Sequence, residues 1–204
     1  LNWTERKATR AAQKIPDNWE DLCQKALLRM AHIIKEHDIP DALFINADQT
    51  QVVYAPGDKL TYAPCGMKQV TLVGGDEKRA FTVLVAVASN GSLLPFQAIY
   101  EGKTQRSCPS SKAPGYNELI KLGVRLEFSG TSTYWSNQKT MEAWVDNILV
   151  PYLEAQKLAL GRPPSQKSLL LWDIWSVHRS QEMRSWLAKN HPNIILVYVP
   201  GGCT

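Results

Sequence analysis

The chain has 204 residues, of which 44% are hydrophobic, 21% charged and 9% aromatic, with a formal net charge of +4. That much apolar material builds a core, which excludes a wholly disordered chain and a disulfide-stapled mini-protein. No apolar run approaches the ~20 residues of a membrane span. The mild positive charge is compatible with a polyanionic partner without demanding one. Cys23, Cys65, Cys108 and Cys203 lie far apart, with no CxxC pair or Cys/His cluster. This argues against a structural zinc site and for reduced thiols in an intracellular protein. The chain opens on Leu1 and ends at Gly201-Gly202-Cys203-Thr204, directly after a strand pattern, so it reads as a segment of something longer.

The first segment, to about Asp38, is helical in pattern. Asp17 with Glu20 resembles a capping box, and Trp19, Leu22, Cys23, Leu27, Met30, Ile33 and Ile34 recur at helical spacing. Arg6, Lys7, Arg10 and Lys14 form a basic stretch before it, either a solvated helix face or a DNA-proximal linker. Pro40 closes the segment. Residues 42–47 then form a short apolar strand ending on Asp48. Residues 69–73 are a second strand candidate, closed by Gly74-Gly75-Asp76. Residues 80–88 are almost continuously apolar, as in a strand covered on both faces. Asn90-Gly91 is a strong hairpin signal and predicts antiparallel pairing with a strand over 93–100. Residues 102–130 read as loop-rich and carry Lys103, Arg106, Lys112, Lys121 and Arg125.

Ser136 is a candidate N-cap for a long helix bearing Met141, Trp144, Val145, Ile148, Leu149, Tyr152 and Leu153, with Pro151 predicting a kink or an early end. Residues 168–172 are a buried-strand run ending on Asp173. A short helix with Met183, Trp186 and Leu187 follows, then an apolar strand over 193–199. Trp135, Trp144, Trp172, Trp175 and Trp186 read as core or near-core residues, with Trp175 placed to flank a site at Asp173. Antiparallel strands followed by helix-linked strands imply an α/β fold: a mixed sheet flanked by helices, with residues 1–40 as an N-terminal helical linker and 41–204 as one domain.

Asp48 and Asp173 stand out because each ends an apolar strand expected near the sheet centre. A carboxylate there costs several kcal/mol to desolvate unless a cation or hydrogen-bond donors meet it. On neighbouring strands the pair would converge, repel, and call for a shared divalent cation, for which oxygen ligands suit Mg²⁺ or Mn²⁺. On pattern alone a plainer reading stands beside this one: Asp48 caps the turn at Gln49-Thr50, and Asp173 caps toward Ser176.

Family likeness bears on that choice. Phe44-Ile45-Asn46-Ala47-Asp48-Gln49-Thr50 resembles the N-x-D-E-T opening of the DDE-superfamily endonuclease domain, the catalytic core of pogo/Tigger-type transposases in the Tc1/mariner group. Residues 95–104, with Gly102-Lys103-Thr104, resemble its strand and GKT turn. Trp144 with Val150-Pro151-Tyr152-Leu153 resembles its central helix. Leu169-Leu170-Leu171-Trp172-Asp173, with His178 five residues on, resembles its L-x-D-x-x-x-x-H motif. Residues 195–204 resemble the next strand and the start of a P-x-x-T-S-x-x-Q-P-x-D element.

The resemblance implies an RNase H-like fold in which three acids bind two divalent cations, Mg²⁺ or Mn²⁺. One activates water or a DNA 3′-hydroxyl, and the other stabilises the leaving oxygen. Asp48 and Asp173 match the first two ligands. The third lies in the Q-P-x-D part, beyond Thr204, so the domain is expected to be C-terminally incomplete and inactive or weakly active alone. Glu154, Glu182 and Asp146 do not match that third position. Gln49 departs from the family, which has Glu there. His178 either orients a carboxylate or phosphate or is an ordinary helix-start histidine. Lys103, Arg106 and Lys112 are candidates for the DNA backbone.

The implied function is DNA strand cleavage and transfer in the nucleus, on transposon ends or chromosomal DNA, with a homodimer as a candidate assembly and no membrane partner. The alternatives are a domesticated, DNA-associated or interaction scaffold without catalysis, and an unrelated RNase H-like nuclease.

Overall fold

The computed structural model describes residues 3–7, 15–54, 60–68, 80–174, 177 and 179–203. In chain order the elements are β1 (Trp3–Lys7), α1 (Trp19–Glu36), β2 (Phe44–Val53), β3 (Leu60–Pro64), β4 (Ala80–Ala88), β5 (Gln97–Tyr100), α2 (Tyr116–Lys121), β6 (Arg125–Phe128), α3 (Gln138–Trp144), α4 (Val150–Ala159), β7 (Ser168–Trp172), α5 (Gln181–Asn190) and β8 (Ile194–Tyr198). Six strands form one mixed sheet in the order β6-β5-β4-β2-β7-β8. Only β4 runs against its neighbours; β2, β5, β6, β7 and β8 share a direction. This is the α/β architecture that the strand and helix order implies. No helix among the described residues is long and apolar enough to cross a membrane.

The turn at Asn90-Gly91 forms as expected. Gly91 takes φ +86°, its N–H donates to Ala88 O at 2.9 Å, and Ser92 N–H donates to Asn90 Oδ1 at 3.0 Å. The strand expected over 93–100 is shorter, however. Leu93 makes a single bridge to Val87, and regular pairing begins at Gln97, because Pro95 has no N–H to donate to a ladder. The loop-rich stretch also holds α2 and an edge strand, β6, parallel to β5.

The N-terminal segment differs more. Residues 3–7 form a strand rather than helix, pairing antiparallel with 60–64 in a separate two-stranded sheet, a partnership set by residues far away in sequence. Helix α1 starts at Trp19 behind Asn18, with no side-chain cap, so the Asp17/Glu20 box does not form. Only its C-terminal half packs on the core, through Met30, Ile33 and Ile34; Trp19 and Leu27 are exposed. Residues 69–73 lie outside the described residues, as do Arg10 and Lys14 of the basic stretch.

The long helix is built in three pieces. Asn137, not Ser136, caps it: its side chain accepts from Thr140 N–H at 3.1 Å, and Thr140 Oγ1 accepts from Asn137 N–H at 2.9 Å. Ser136 is instead turned toward β2. A π-helical turn, Val145–Leu149, joins α3 to α4. Pro151 therefore falls in the first turn of α4, where a missing N–H costs least, and the helix runs on to Ala159 instead of ending. Ser180 caps α5, its Oγ accepting from Met183 N–H at 3.1 Å.

The core lies where this helix crosses the sheet. Trp144 and Trp172 are fully buried with ring centroids 6.1 Å apart, beside Ile45, Ala47, Leu84, Met141, Leu149, Leu169 and Leu170. Trp186 packs against this cluster, whereas Trp135 is 51% exposed and Trp175 lies outside the described residues. Trp144→Ala is expected to cost about 3–5 kcal/mol. Leu158→Ala, at an 83% exposed position, should stay within ~0.5 kcal/mol. Denaturant unfolding monitored by circular dichroism measures both, and comparable losses would contradict this placement of the core.

Candidate active site

Strands β2 and β7 run parallel, pairing Phe44 with Leu169, Ile45 with Leu170 and Asn46 with Leu171. The pairs end at Asn46–Leu171, and Asp48 and Asp173 each lie two residues beyond that pair, at its open carboxyl end. Residues level with each other in a parallel pair face the same side. Ala47 and Trp172, one step earlier, are both buried; strand alternation turns Asp48 to the opposite face, and Asp173 follows directly after the end of β7. Asp48 is exposed and Asp173 half-buried.

Asp48 does not end its strand as its sequence suggests. Strand β4 pairs with β2 from Ile45–Ala88 to Val53–Ala80, carrying β2 past the acid. It is β7 that stops, one residue before Asp173. Asp48 is thus held on one side by its pairing with Val85 and open on the other, where β7 has ended. Its Oδ1 accepts a hydrogen bond from Gln49 N–H at 2.7 Å, the local contact that the plainer reading calls for, and one that leaves further lone pairs available.

The Gln49 side chain does not join the acids. It alternates to the helix-covered face, where its Nε2 lies 3.4 Å from Met141 Sδ and its Oε1 accepts from Ser136 Oγ at 2.5 Å. Gln51 Nε2 donates to Tyr134 Oη at 2.6 Å, and Thr82 Oγ1 to Tyr134 O at 2.8 Å. These long-range bonds fasten the entry to α3 across β2 and β4, and no local pattern announces them. Asp146 and Glu154 have other partners: His191 Nε2 at 2.8 Å and Lys157 Nζ at 2.8 Å. Among the described residues no three His, Cys, Asp or Glu side chains converge as a metal cluster. His178 lies outside them.

Two of the basic candidates, Lys103 and Arg106, follow the carboxyl end of β5. Because β5 runs parallel to β2, its carboxyl end points the same way, with Ile99 level with Thr82 and so with Gln51, three residues past Asp48, and the turn bearing Lys103 and Arg106 further on. Lys103, Arg106 and Lys112 are all exposed. The turn folds back on β5: burial, with smaller contributions from Tyr54 and Cys108, pushes the Tyr100 phenol up to about 12. Burial, with Glu127 behind it, likewise pushes the Cys108 thiol up. Tyr100 therefore stays a neutral hydroxyl and Cys108 a neutral thiol at physiological pH.

The family model of the DDE superfamily endonucleases matches residues 77–204. The chain belongs to this family. That match includes Asp173 and begins after Asp48. No curated protein matches the sequence. Two solved structures are similar in fold. One is the Mos1 mariner paired end complex with Mn, with a TM-score of 0.51 and 10% identity, covering 94% of this chain and 46% of that one. The other is a pre-cleavage Mos1 transpososome, with a TM-score of 0.54 and 9% identity, covering 97% and 48%. The DDE chain thus has the RNase H-like mixed sheet, and it spans about half the length of those Mos1 chains.

One position in the basic turn has little freedom. Gly102 takes φ +136°, a backbone conformation open to glycine, and a Cβ there would collide with Ser107 Oγ. Its N–H donates to Thr131 O and its carbonyl accepts from Gly130 N–H. Gly102→Ala should lower stability by about 1–3 kcal/mol. Adding Ser107→Gly should recover only part of this, since it removes the clash and leaves the backbone strain. Chemical unfolding of the two variants tests this; full recovery in the double variant would contradict it.

Proposed function

We propose that this chain is the catalytic core of a DDE transposase of the pogo/Tigger type, acting in divalent-metal-dependent DNA strand cleavage and transfer. Asp48 and Asp173 are two of its three carboxylate ligands. The observation that supports the reading is the parallel β2–β7 pairing, in which each strand carries one acid two residues past the last pair, Asn46–Leu171, at a strand end of the kind where ligands of α/β sheets gather. Carboxylates brought together there repel by roughly 1 kcal/mol even in water, and a shared cation relieves this.

Two carboxylates fit the hard, oxygen-loving Mg²⁺ or Mn²⁺, which are commonly held by one or two carboxylates together with substrate phosphates. When bound, a pair of such ions activates the attacking water or 3′-hydroxyl and stabilises the leaving oxygen of an in-line phosphoryl transfer. The protein's own part is positional. Asp48 is held by its strand and by the Gln49 N–H, and Asp173 by the buried Trp172 before it. Lys103, Arg106 and Lys112, all exposed, supply cations for the phosphate backbone. The natural substrates in this reading are transposon ends or chromosomal DNA in the nucleus, bound by one or two copies of the chain. The third acid comes from outside this set of residues. Gln49 has no weight for a non-catalytic scaffold, because its side chain occupies the opposite face.

Plasmid nicking with Mg²⁺ or Mn²⁺ tests the reading. In a chain that also carries the third acid, Asp48→Asn and Asp173→Asn should each reduce nicking by about a hundredfold or more. Metal-dependent nicking that survives either substitution would refute the assignment.

A further inference from the structure

The face that carries Asp48 also carries a row of aromatic rings that the cleavage chemistry leaves unused. Alternate residues of a strand share a face, so Asp48, Thr50 and Val52 lie in line, and their partners Val85, Val83 and Phe81 extend that face across β4. Tyr54 continues the row, its ring 5.5 Å from Phe81. Phe81 in turn stacks on Tyr100 of β5, at 5.0 Å and 18° between planes. The strip runs from Tyr100, partly buried against the Cys108 turn, to Tyr54, which is 56% exposed.

Its place relative to the acids and the cations has a chemical meaning. Four residues separate Asp48 from the level of Phe81, about 13 Å along the strand. This is roughly the length of four nucleotides at ~3.4 Å each. Beyond Tyr100 comes the turn with exposed Lys103 and Arg106. Rings that accept a base face, beside cations that neutralise phosphates, are the combination by which proteins hold single-stranded nucleic acid.

We infer that Tyr54, Phe81 and Tyr100 form a stacking platform for an unpaired DNA base a few nucleotides from the scissile phosphate. The bound substrate is then locally single-stranded beside the acids. The inference rests on the DNA-cleavage reading above and adds the state of the DNA that the site takes.

The test uses single-stranded oligonucleotides carrying 2-aminopurine, with a duplex of the same sequence measured in parallel by fluorescence anisotropy. The wild-type chain should quench the 2-aminopurine. Tyr54→Ala, at an exposed position, should weaken single-strand binding by about tenfold and leave duplex binding unchanged, while Tyr54→Phe binds as the wild type does. Thermal unfolding confirms that the variants are folded. Equal single-strand affinity for wild type and Tyr54→Ala, or an equal loss in both Tyr54 variants, overturns the platform. If duplex DNA is still bound in either case, the cleavage reading stands without it. Failure of the wild type to bind either form of DNA removes both.

Discussion

The parallel pairing of β2 with β7 is the constraint on which the site depends. It joins two segments more than a hundred residues apart and decides which side chains stand level. Ile45, Ala47, Leu170 and Trp172 are buried beside it, and Asp48 and Asp173 directly follow Ala47 and Trp172. A slip of one residue would exchange the faces of a strand, sending apolar side chains to solvent and an acid into the core. Burial of Trp172 against Trp144 opposes such a slip. The apolar core and the acid pair are therefore two sides of one register, and the packing that stabilises the first positions the second.

Strand direction then arranges the chemistry around the pair. With β4 alone reversed, the carboxyl ends of β2, β5 and β7 point the same way, β7 ending first. The Lys103–Arg106 turn follows β5, two strands from β2, and lies further along the strand direction than Asp48. The positive charge is offset from the carboxylates rather than neutralising them. Such an arrangement suits a polyanion whose phosphates reach the cations while one of them lies at the acids. The bonds from Gln49, Gln51 and Thr82 to Ser136 and Tyr134 brace the opposite face.

Much of this was legible in the residues. Asn90-Gly91 specified its turn, the apolar runs at 80–88 and 168–172 specified central strands, and the two acids marked themselves by ending such runs. What local pattern could not supply was long-range. The strand over 3–7 exists through its pairing with 60–64. Asp48 lies mid-strand because β4 continues alongside it. Ser136 is drawn to Gln49, leaving the cap to Asn137. The π turn before Pro151 absorbs a break that helix rules alone would place there. Strand β6 is a different case: Arg125-Leu126-Glu127-Phe128 alternates charged and apolar residues, a legible strand signal hidden in a stretch rich in glycine and lysine.

The central claim, that Asp48 and Asp173 act as one metal-binding unit, is tested most directly by Mn²⁺ binding, followed by electron paramagnetic resonance. The proteins needed are the wild type, Asp48→Asn, Asp173→Asn and the double variant. Ligands of one shared site are not independent, so each single substitution should remove most of the binding and the double variant should lose little more. Binding unchanged in either single variant, or two separate losses that add in the double variant, would contradict the account.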